Sequence, residues 1–157
     1  MADIVVGGEG FTVQRARAED VPALVALLAD DPLGSHRETD DLTVYEQSFR
    51  SIDEDPHQFL AAVRDADGDL IGTMQLTLIP GLSRGAALRL QIEAVRVARS
   101  ARGEGIGVAM LAWAHDYGRR HGARLAQLTT DKTRTDAHRF YAGLGYEATH
   151  EGLKLAL

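Results

Sequence analysis

A glycine-rich hexapeptide, Arg102-Gly103-Glu104-Gly105-Ile106-Gly107, constrains this chain more than any other stretch. The β-branched run before it, Gln91 to Val97, reads as a strand. After it, Val108 to His121 carries Met110, Leu111, Ala114 and Tyr117 at helical spacing. A strand must therefore pass through a tight glycine turn straight into a helix. At such a junction several backbone N–H groups have no intrahelical acceptor, and the helix dipole favours negative charge. Glycines let the backbone close on a phosphate where a Cβ would obstruct it. The turn points to a phosphate-bearing ligand. A nucleoside-triphosphatase loop would end in Gly-Lys-Ser/Thr, and no lysine follows here. A dinucleotide fingerprint would place a third glycine where Val108 stands. A turn that merely brings strand and helix close together is the remaining alternative.

A second pattern lies downstream. Arg124 to Thr130 reads as a strand after a helix stop at Gly122, and Ala137 to Gly143 as a helix closing on Leu144-Gly145-Tyr146. The spacing Arg102-x-x-Gly105-x-Gly107 resembles the Gln/Arg-x-x-Gly-x-Gly/Ala element with which GNAT N-acetyltransferases bind the pyrophosphate of acetyl-CoA. Ala137, Phe140, Tyr141, Gly145 and Tyr146 resemble that family's second signature, Ala-x-x-Phe-Tyr-x-x-x-Gly-Phe/Tyr. The two occur in the family's order and at a family-like separation. The resemblance is detailed from about Gln91 to Leu157 and architectural before that. It implies an α/β (α+β) GNAT fold: a central, mixed, mostly antiparallel twisted sheet of about seven strands flanked by about four helices. A V-shaped splay between the fourth and fifth strands belongs to that fold. A single acetyltransferase domain over residues 1–157 is expected.

The upstream sequence fits an alternating α/β order. Phe11 to Ala16 reads as the first strand, and Glu19, Asp20 and Pro22 as the start of a helix through Leu28 that stops at Asp31-Pro32-Leu33-Gly34. Thr39 or Asp40 is placed to cap a second helix, with Leu42, Tyr45, Phe49 and Ile52 spaced as a buried face. Gln58 to Val63 and Leu70 to Leu78 flank Asp65-Ala66-Asp67-Gly68-Asp69, a strong hairpin signal. A turn at Pro80 to Gly85 leads to the strand bearing Glu93, and two further strands are expected after the last helix, in the order β-α-α-β-β-β-α-β-α-β-β.

Composition excludes several chemistries. The chain has no cysteine, so thiolate metal sites, disulfides and an enzyme thiol are ruled out. No apolar run approaches about 18 residues and no leader-like segment opens the chain, which reads as cytoplasmic, with no membrane partner. Net charge is −6, unevenly spread. Between Asp30 and Asp55 stand nine acids and two bases; between Arg96 and Arg139 stand nine bases and four acids. The basic half suits a polyanionic cofactor and the acidic half a cationic acceptor. The basic half lacks the interleaved aromatics of a single-strand nucleic-acid surface, so no nucleic-acid partner is expected. The histidines show no ligand spacing, and no metal is expected.

The resemblance implies acetyl-CoA as co-substrate and an amine as acceptor. A protonated amine cannot attack a thioester, so a base is needed, and a proton must reach the departing thiolate. Glu93, on the strand running toward the phosphate turn, corresponds to the catalytic glutamate of many family members; burial there would favour its acting as a base. Tyr141 matches the family tyrosine thought to protonate the thiolate. Backbone groups of Val95 and Val97 are candidates for pairing with pantetheine, and residues Arg102, Gly103, Glu104, Gly105, Ile106 and Gly107 for holding the pyrophosphate. Where the family often carries Asn, this chain has Arg134; with neighbouring His138 it is a further cofactor candidate.

The acceptor is expected between the first two helices and the Pro80–Arg89 hairpin. Tyr45 and Gln75 are the substrate candidates, with Asp30, Asp31, Asp40 and Asp41 as further lining groups. Gln75, Arg84 and Arg89 would suit an amine that also carries a carboxylate or phosphonate. An N-acetyltransferase acting on a small primary amine is the reading that results, with a homodimer possible. A protein or peptide N-acetyltransferase and a non-catalytic acyl-CoA sensor are the alternatives.

Overall fold

The computed structural model describes residues 2–6 and 9–157, with side chains from residue 10 onward. Two compact units are distinguished, Met1–Gln127 and Leu128–Leu157, and each is described by itself. In the first unit every strand pairs with its neighbour in sequence, giving a six-stranded sheet in the order β1 (Ala2–Val6), β2 (Glu9–Arg15), β3 (Gln58–Arg64), β4 (Leu70–Ile79), β5 (Arg89–Val97), β6 (Leu125–Gln127). All ladders are antiparallel except the parallel pair β5–β6. The Asp-Gly hairpin forms as expected: Gly68 takes φ +89°, and the Asp65 carboxylate accepts from the N–H groups of Asp67 and Asp69.

The strand count differs from the expected seven at both ends. The chain begins with an extra strand, β1, ahead of the expected first one. Only Leu125–Gln127 of the expected strand over 124–130 joins the sheet, and no strand forms after residue 143 among the described residues. Leu153, Leu155 and Leu157 alternate in strand fashion, yet all three are exposed. Alternation supplies a pattern, but a strand exists only where a ladder partner satisfies its backbone.

Five α-helical segments accompany the sheet rather than about four: α1 (Val21–Ala29), α2 (Leu42–Glu54), α3 (Ser83–Ala86), α4 (Ile106–Arg120) and α5 (Thr135–Gly143). The extra one, α3, is a single distorted turn with Arg84 and Gly85 at positive φ. Pro22 opens α1, and buried Asp20 before it pairs with Arg64 while accepting from the Arg17 N–H at 2.9 Å. Neither Thr39 nor Asp40 caps α2. Asp41 does, accepting from the Thr43 N–H at 3.1 Å. These bonds to the Thr43 hydroxyl and amide hold the Asp41 carboxyl below its ordinary pKa. Of the face expected on α2, Phe49 is buried, Tyr45 and Ile52 are half-buried, and Leu42 is exposed.

The sheet is covered on both faces. Phe59 packs its ring against Trp113 and Tyr117 of α4. Leu60, the next residue, joins Leu24 of α1 and Phe49 of α2 in the other apolar cluster. Adjacent strand residues point to opposite faces, so α4 lies on one side and α1 with α2 on the other. Met110, Leu111 and Ala114 are fully buried and Tyr117 nearly so, as their spacing requires. Among the described residues no helix is long and apolar enough to cross a membrane.

Candidate functional site

The strand carrying Glu93 is irregular where chemistry was expected. Along β4–β5 the register runs Gln75 opposite Glu93, then Thr73 opposite Arg96, with a shift between them. Two residues, Ala94 and Val95, thus face the single Met74, a β-bulge, and Ala94 adopts φ +51°. A left-handed alanine costs on the order of 1 kcal/mol and persists only where its surroundings enforce it. On the opposite edge, β5 pairs with β6 only from Arg89 to Gln91. From Ile92 to Val97 that edge has no strand ladder among the described residues.

The direction of the free backbone groups follows from one bond. The Ala98 N–H donates to the Ile71 carbonyl on the β4 side at 2.8 Å. Backbone groups alternate sides along a strand, so the N–H groups of Val97 and Val95 face the open edge. Their carbonyls, also expected as ligand partners, already accept from guanidinium groups. Arg96 Nη1 donates to Val95 O at 2.9 Å and Arg102 Nε to Val97 O at 3.0 Å. The N–H groups are therefore the stronger half of that expectation.

Beyond Val97 the chain takes one 3₁₀ turn, Arg99–Ala101, and enters the glycine segment. Gly103 and Gly105 hold φ +85° and +80°, and Gly105 is the N-cap of α4. A Cβ on Gly103 would meet nothing within 4 Å, so backbone conformation, not crowding, demands glycine there. The Gly105 carbonyl accepts from the Ala109 N–H, the first helical bond, which leaves the N–H groups of Ile106, Gly107 and Val108 without intrahelical acceptors. Ile106 is buried and pins the turn to the core, so only its backbone can serve a ligand. Gly107 is half-buried within the helix, and Glu104 is exposed.

The acids expected near the acceptor instead answer these bases. Asp30 lies 2.9 Å from Arg99 Nε and 4.0 Å from Arg102 Nη2, and Asp31 lies 3.6 Å from Arg96 Nη2. The end of α1 is thus tied to the segment between β5 and the glycine turn. Of the remaining acids, Asp41 serves as a helix cap.

Glu93 is exposed, not buried, so the desolvation expected of it is absent. It stands beside Gln75 on the α1/α2 face, at the edge of a cavity of about 200 Å³ between those helices and the sheet. Tyr45 and Gln75, the two substrate candidates, both line this cavity, together with Thr73, Ser48 and Ala94. Three of these side chains bond within the protein: Tyr45 Oη donates to Glu38 at 2.5 Å and accepts from the Thr39 N–H at 2.9 Å. The bond to Glu38 raises the Tyr45 pKa. Gln75 Nε2 donates to Gln58 at 3.1 Å, and Thr73 Oγ1 to the Ala61 carbonyl at 2.8 Å. Arg84 and Arg89 are not among the cavity's lining groups.

In the second unit, Arg134 occupies the N-cap position of α5 with no side-chain cap bond. Asp131 organises the turn before it, accepting from both the N–H and the hydroxyl of Thr133, while its carbonyl lies 3.0 Å from His138 Nε2. Tyr141 is half-buried, packed edge-on against Phe140 and Tyr146. Gly145, at φ +89°, closes α5: its N–H donates to Ala142 O while the Tyr146 N–H donates to Tyr141 O. That pairing is a Schellman cap, and it folds Tyr146 back over Tyr141. Burial and the neighbouring Tyr141 push the Tyr146 phenol up to about 12. The signature residues at 141, 145 and 146 are thus one helix end.

Among site residues, the structure brings Gln75 and Tyr45 to one cavity, pairs Glu93 with Gln75 across the β4–β5 ladder, and sets Val95 and Val97 on the strand leading to the glycine turn. Arg134, His138 and Tyr141 share the second unit. Sequence reasoning missed the Ala94 bulge, for which no residue type is a signal, and the salt links of Asp30 and Asp31. The opposed charge of the two halves was the available clue to those links.

Comparison with known proteins adds three findings. The acetyltransferase (GNAT) family profile matches residues 21–146. The aminoalkylphosphonate N-acetyltransferase of Salmonella typhimurium strain LT2 is 30% identical over 139 residues, covering 88% of this chain and 86% of that protein. Among solved structures, a transcriptional regulator from Bacillus halodurans C-125 is similar at 38% identity and a TM-score of 0.89, covering 94% of this chain and 99% of that one. AAC(6')-Iy in complex with a CoA-based bisubstrate analogue shares the fold at 18% identity and a TM-score of 0.76, covering 94% and 97%.

Proposed function

We propose that this chain, which belongs to the GNAT family of N-acetyltransferases, moves an acetyl group from acetyl-CoA to the primary amine of a small molecule by direct attack in a ternary complex. The observation that carries the reading is the continuity of β5: an open edge presenting the Val95 and Val97 N–H groups runs directly into a left-handed glycine turn at a helix N-terminus. An extended amide-bearing arm pairs with such an edge, and a pyrophosphate suits the turn. Acetyl-CoA supplies the activated thioester. Arg102 and Arg99, now on Asp30, lie beside the turn with charge to offer phosphates.

In the proposed step Glu93, directly or through water, takes the proton of the acceptor ammonium. The freed lone pair forms the N–C bond at the thioester carbonyl, whose oxygen an N–H of the β5 edge polarises. The C–S bond breaks, Tyr141 supplies the proton to the departing thiolate, and the nitrogen's surplus proton, lost through solvent as the amide forms, restores the phenol. Exposure of Glu93 to solvent favours relay through water.

Thiol release from acetyl-CoA, followed against a panel of amines, tests this. Glu93→Gln and Tyr141→Phe are each expected to lower kcat by about 10²-fold or more. Undiminished turnover in either variant removes that residue from the mechanism. A second reading, an acyl-CoA-binding sensor, is favoured by the relative from Bacillus halodurans that is a transcriptional regulator. It requires acetyl-CoA binding without amine-dependent thiol release.

A further inference from the structure

We infer that the acceptor carries an uncharged apolar substituent, a short branched alkyl or single aryl group, which seats in the cavity between α1, α2 and the sheet. This rests on the N-acetyltransferase reading and names the substrate class of the same site. The cavity measures about 200 Å³, and no Asp, Glu, Lys, Arg or His lines it. Leu24, Val25, Phe49, Ile52 and Leu60 form most of its wall. Of its polar lining groups, the Tyr45 and Thr73 hydroxyls and Gln75 Nε2 bond to partners within the protein, and Ser48 sits at the exposed rim. A phosphonate, carboxylate or second ammonium placed there would lose its hydration with no charged group to pair with. An apolar pocket of about 150 Å³ accommodates a benzene ring, so this volume suits one ring or four to five carbons.

Position links the cavity to the chemistry. Ala94, the left-handed bulge residue, lines it, and Glu93 is the residue before. Gln75, another lining residue, is the direct cross-strand partner of Glu93. A group seated in the cavity through one or two linking carbons therefore delivers its nitrogen to Glu93 at the bulge. A wholly polar acceptor gains nothing from this surface.

Calorimetric binding and turnover should be measured together, with CoA present for binding and acetyl-CoA for turnover. The probes are methylamine, propylamine, isobutylamine, benzylamine, putrescine and aminoethylphosphonate. Affinity is expected to rise about fourfold per added methylene until the cavity fills. Isobutylamine or benzylamine should then exceed putrescine and aminoethylphosphonate at least tenfold. Ser48→Phe, a change at an exposed cavity-rim position of α2, should cut benzylamine affinity at least tenfold while leaving CoA affinity unchanged. Leu60→Phe, which fills the cavity from the sheet side, is the second variant.

Equal affinity along the alkyl series, or tightest binding of aminoethylphosphonate or putrescine, overturns the inference. Turnover of those polar amines would leave the enzyme reading standing. Apolar amines that bind and are lost in Ser48→Phe, yet are never acetylated, would sustain the cavity assignment and sink the enzyme reading.

Discussion

The two faces of the sheet are built to different tolerances. On the α4 face, Met74, Leu76, Leu90, Ile92, Met110 and Leu111 are each at most 1% exposed. Two glycines allow the close approach. A Cβ on Gly72 would sit 3.0 Å from Met110 Sδ and 3.1 Å from the Arg96 carbonyl, and one on Gly118 would sit 3.0 Å from Leu90 Cδ2. On the α1/α2 face the wall is equally apolar, but a cavity of about 200 Å³ remains, bordered by Gln75, Thr73 and the bulge. A face packed to crystal-like density resists change, whereas one holding a void has room for a ligand. The same strands serve both, because alternate residues report to opposite sides.

The largest test of this contrast is truncation. Met110→Ala on the closed face should cost about 2–5 kcal/mol in denaturant unfolding, since its surroundings cannot collapse. Leu24→Ala, beside the existing cavity, should fall at the low end, about 2 kcal/mol. Equal losses would mean that the void is not a property of the folded state. Next comes overpacking. Gly72→Ala should destabilise by about 1–3 kcal/mol, because the Arg96 carbonyl is backbone and cannot swing aside. A neutral result would show that α4 does not press on β4.

Smaller effects sharpen the picture at the bulge. Ala94→Gly relieves a left-handed alanine but adds unfolded-state entropy, so stability should change by less than about 1 kcal/mol, toward stabilisation. Loss of stability there would remove the bulge from the account. The smallest effect concerns His115 on α4, whose pKa is lowered first by burial and then by Arg119. A histidine held neutral contributes stability that is full above its unfolded pKa of about 6.5 and is lost as pH falls through the lower folded value. His115→Gln should therefore flatten the stability profile below about pH 6.5, and an unchanged acid limb would contradict this.

Much of this was legible in the chain. Met110, Leu111, Ala114 and Tyr117 fall on one helical stripe and are buried on one helix face, because periodicity is local geometry. Gly68, Gly103, Gly105 and Gly145 all hold positive φ at turns or caps, where glycine's missing Cβ is a direct signal. Asp41 rather than Asp40 capping α2 is an error of one residue, of the kind that element boundaries invite. Glu93 was located correctly on its strand, but exposure is set by what covers a face, not by the residue's neighbours in sequence. The acids at 30 and 31 looked like a substrate lure until folding set them against Arg96, Arg99 and Arg102.

By itself the sequence determined the local units: the hairpin, the strand–glycine turn–helix junction, the apolar stripe of α4 and the capped helix bearing Tyr141. Each follows from backbone preferences and spacing within about twenty residues. Tertiary structure alone decided the register shift that turns Ala94 left-handed, the early end of the β5–β6 ladder, the pairing of acidic with basic segments and the void beside Gln75. Those depend on groups distant in sequence meeting in space, where a one-residue slip or an unfilled volume carries no signature in the order of the residues.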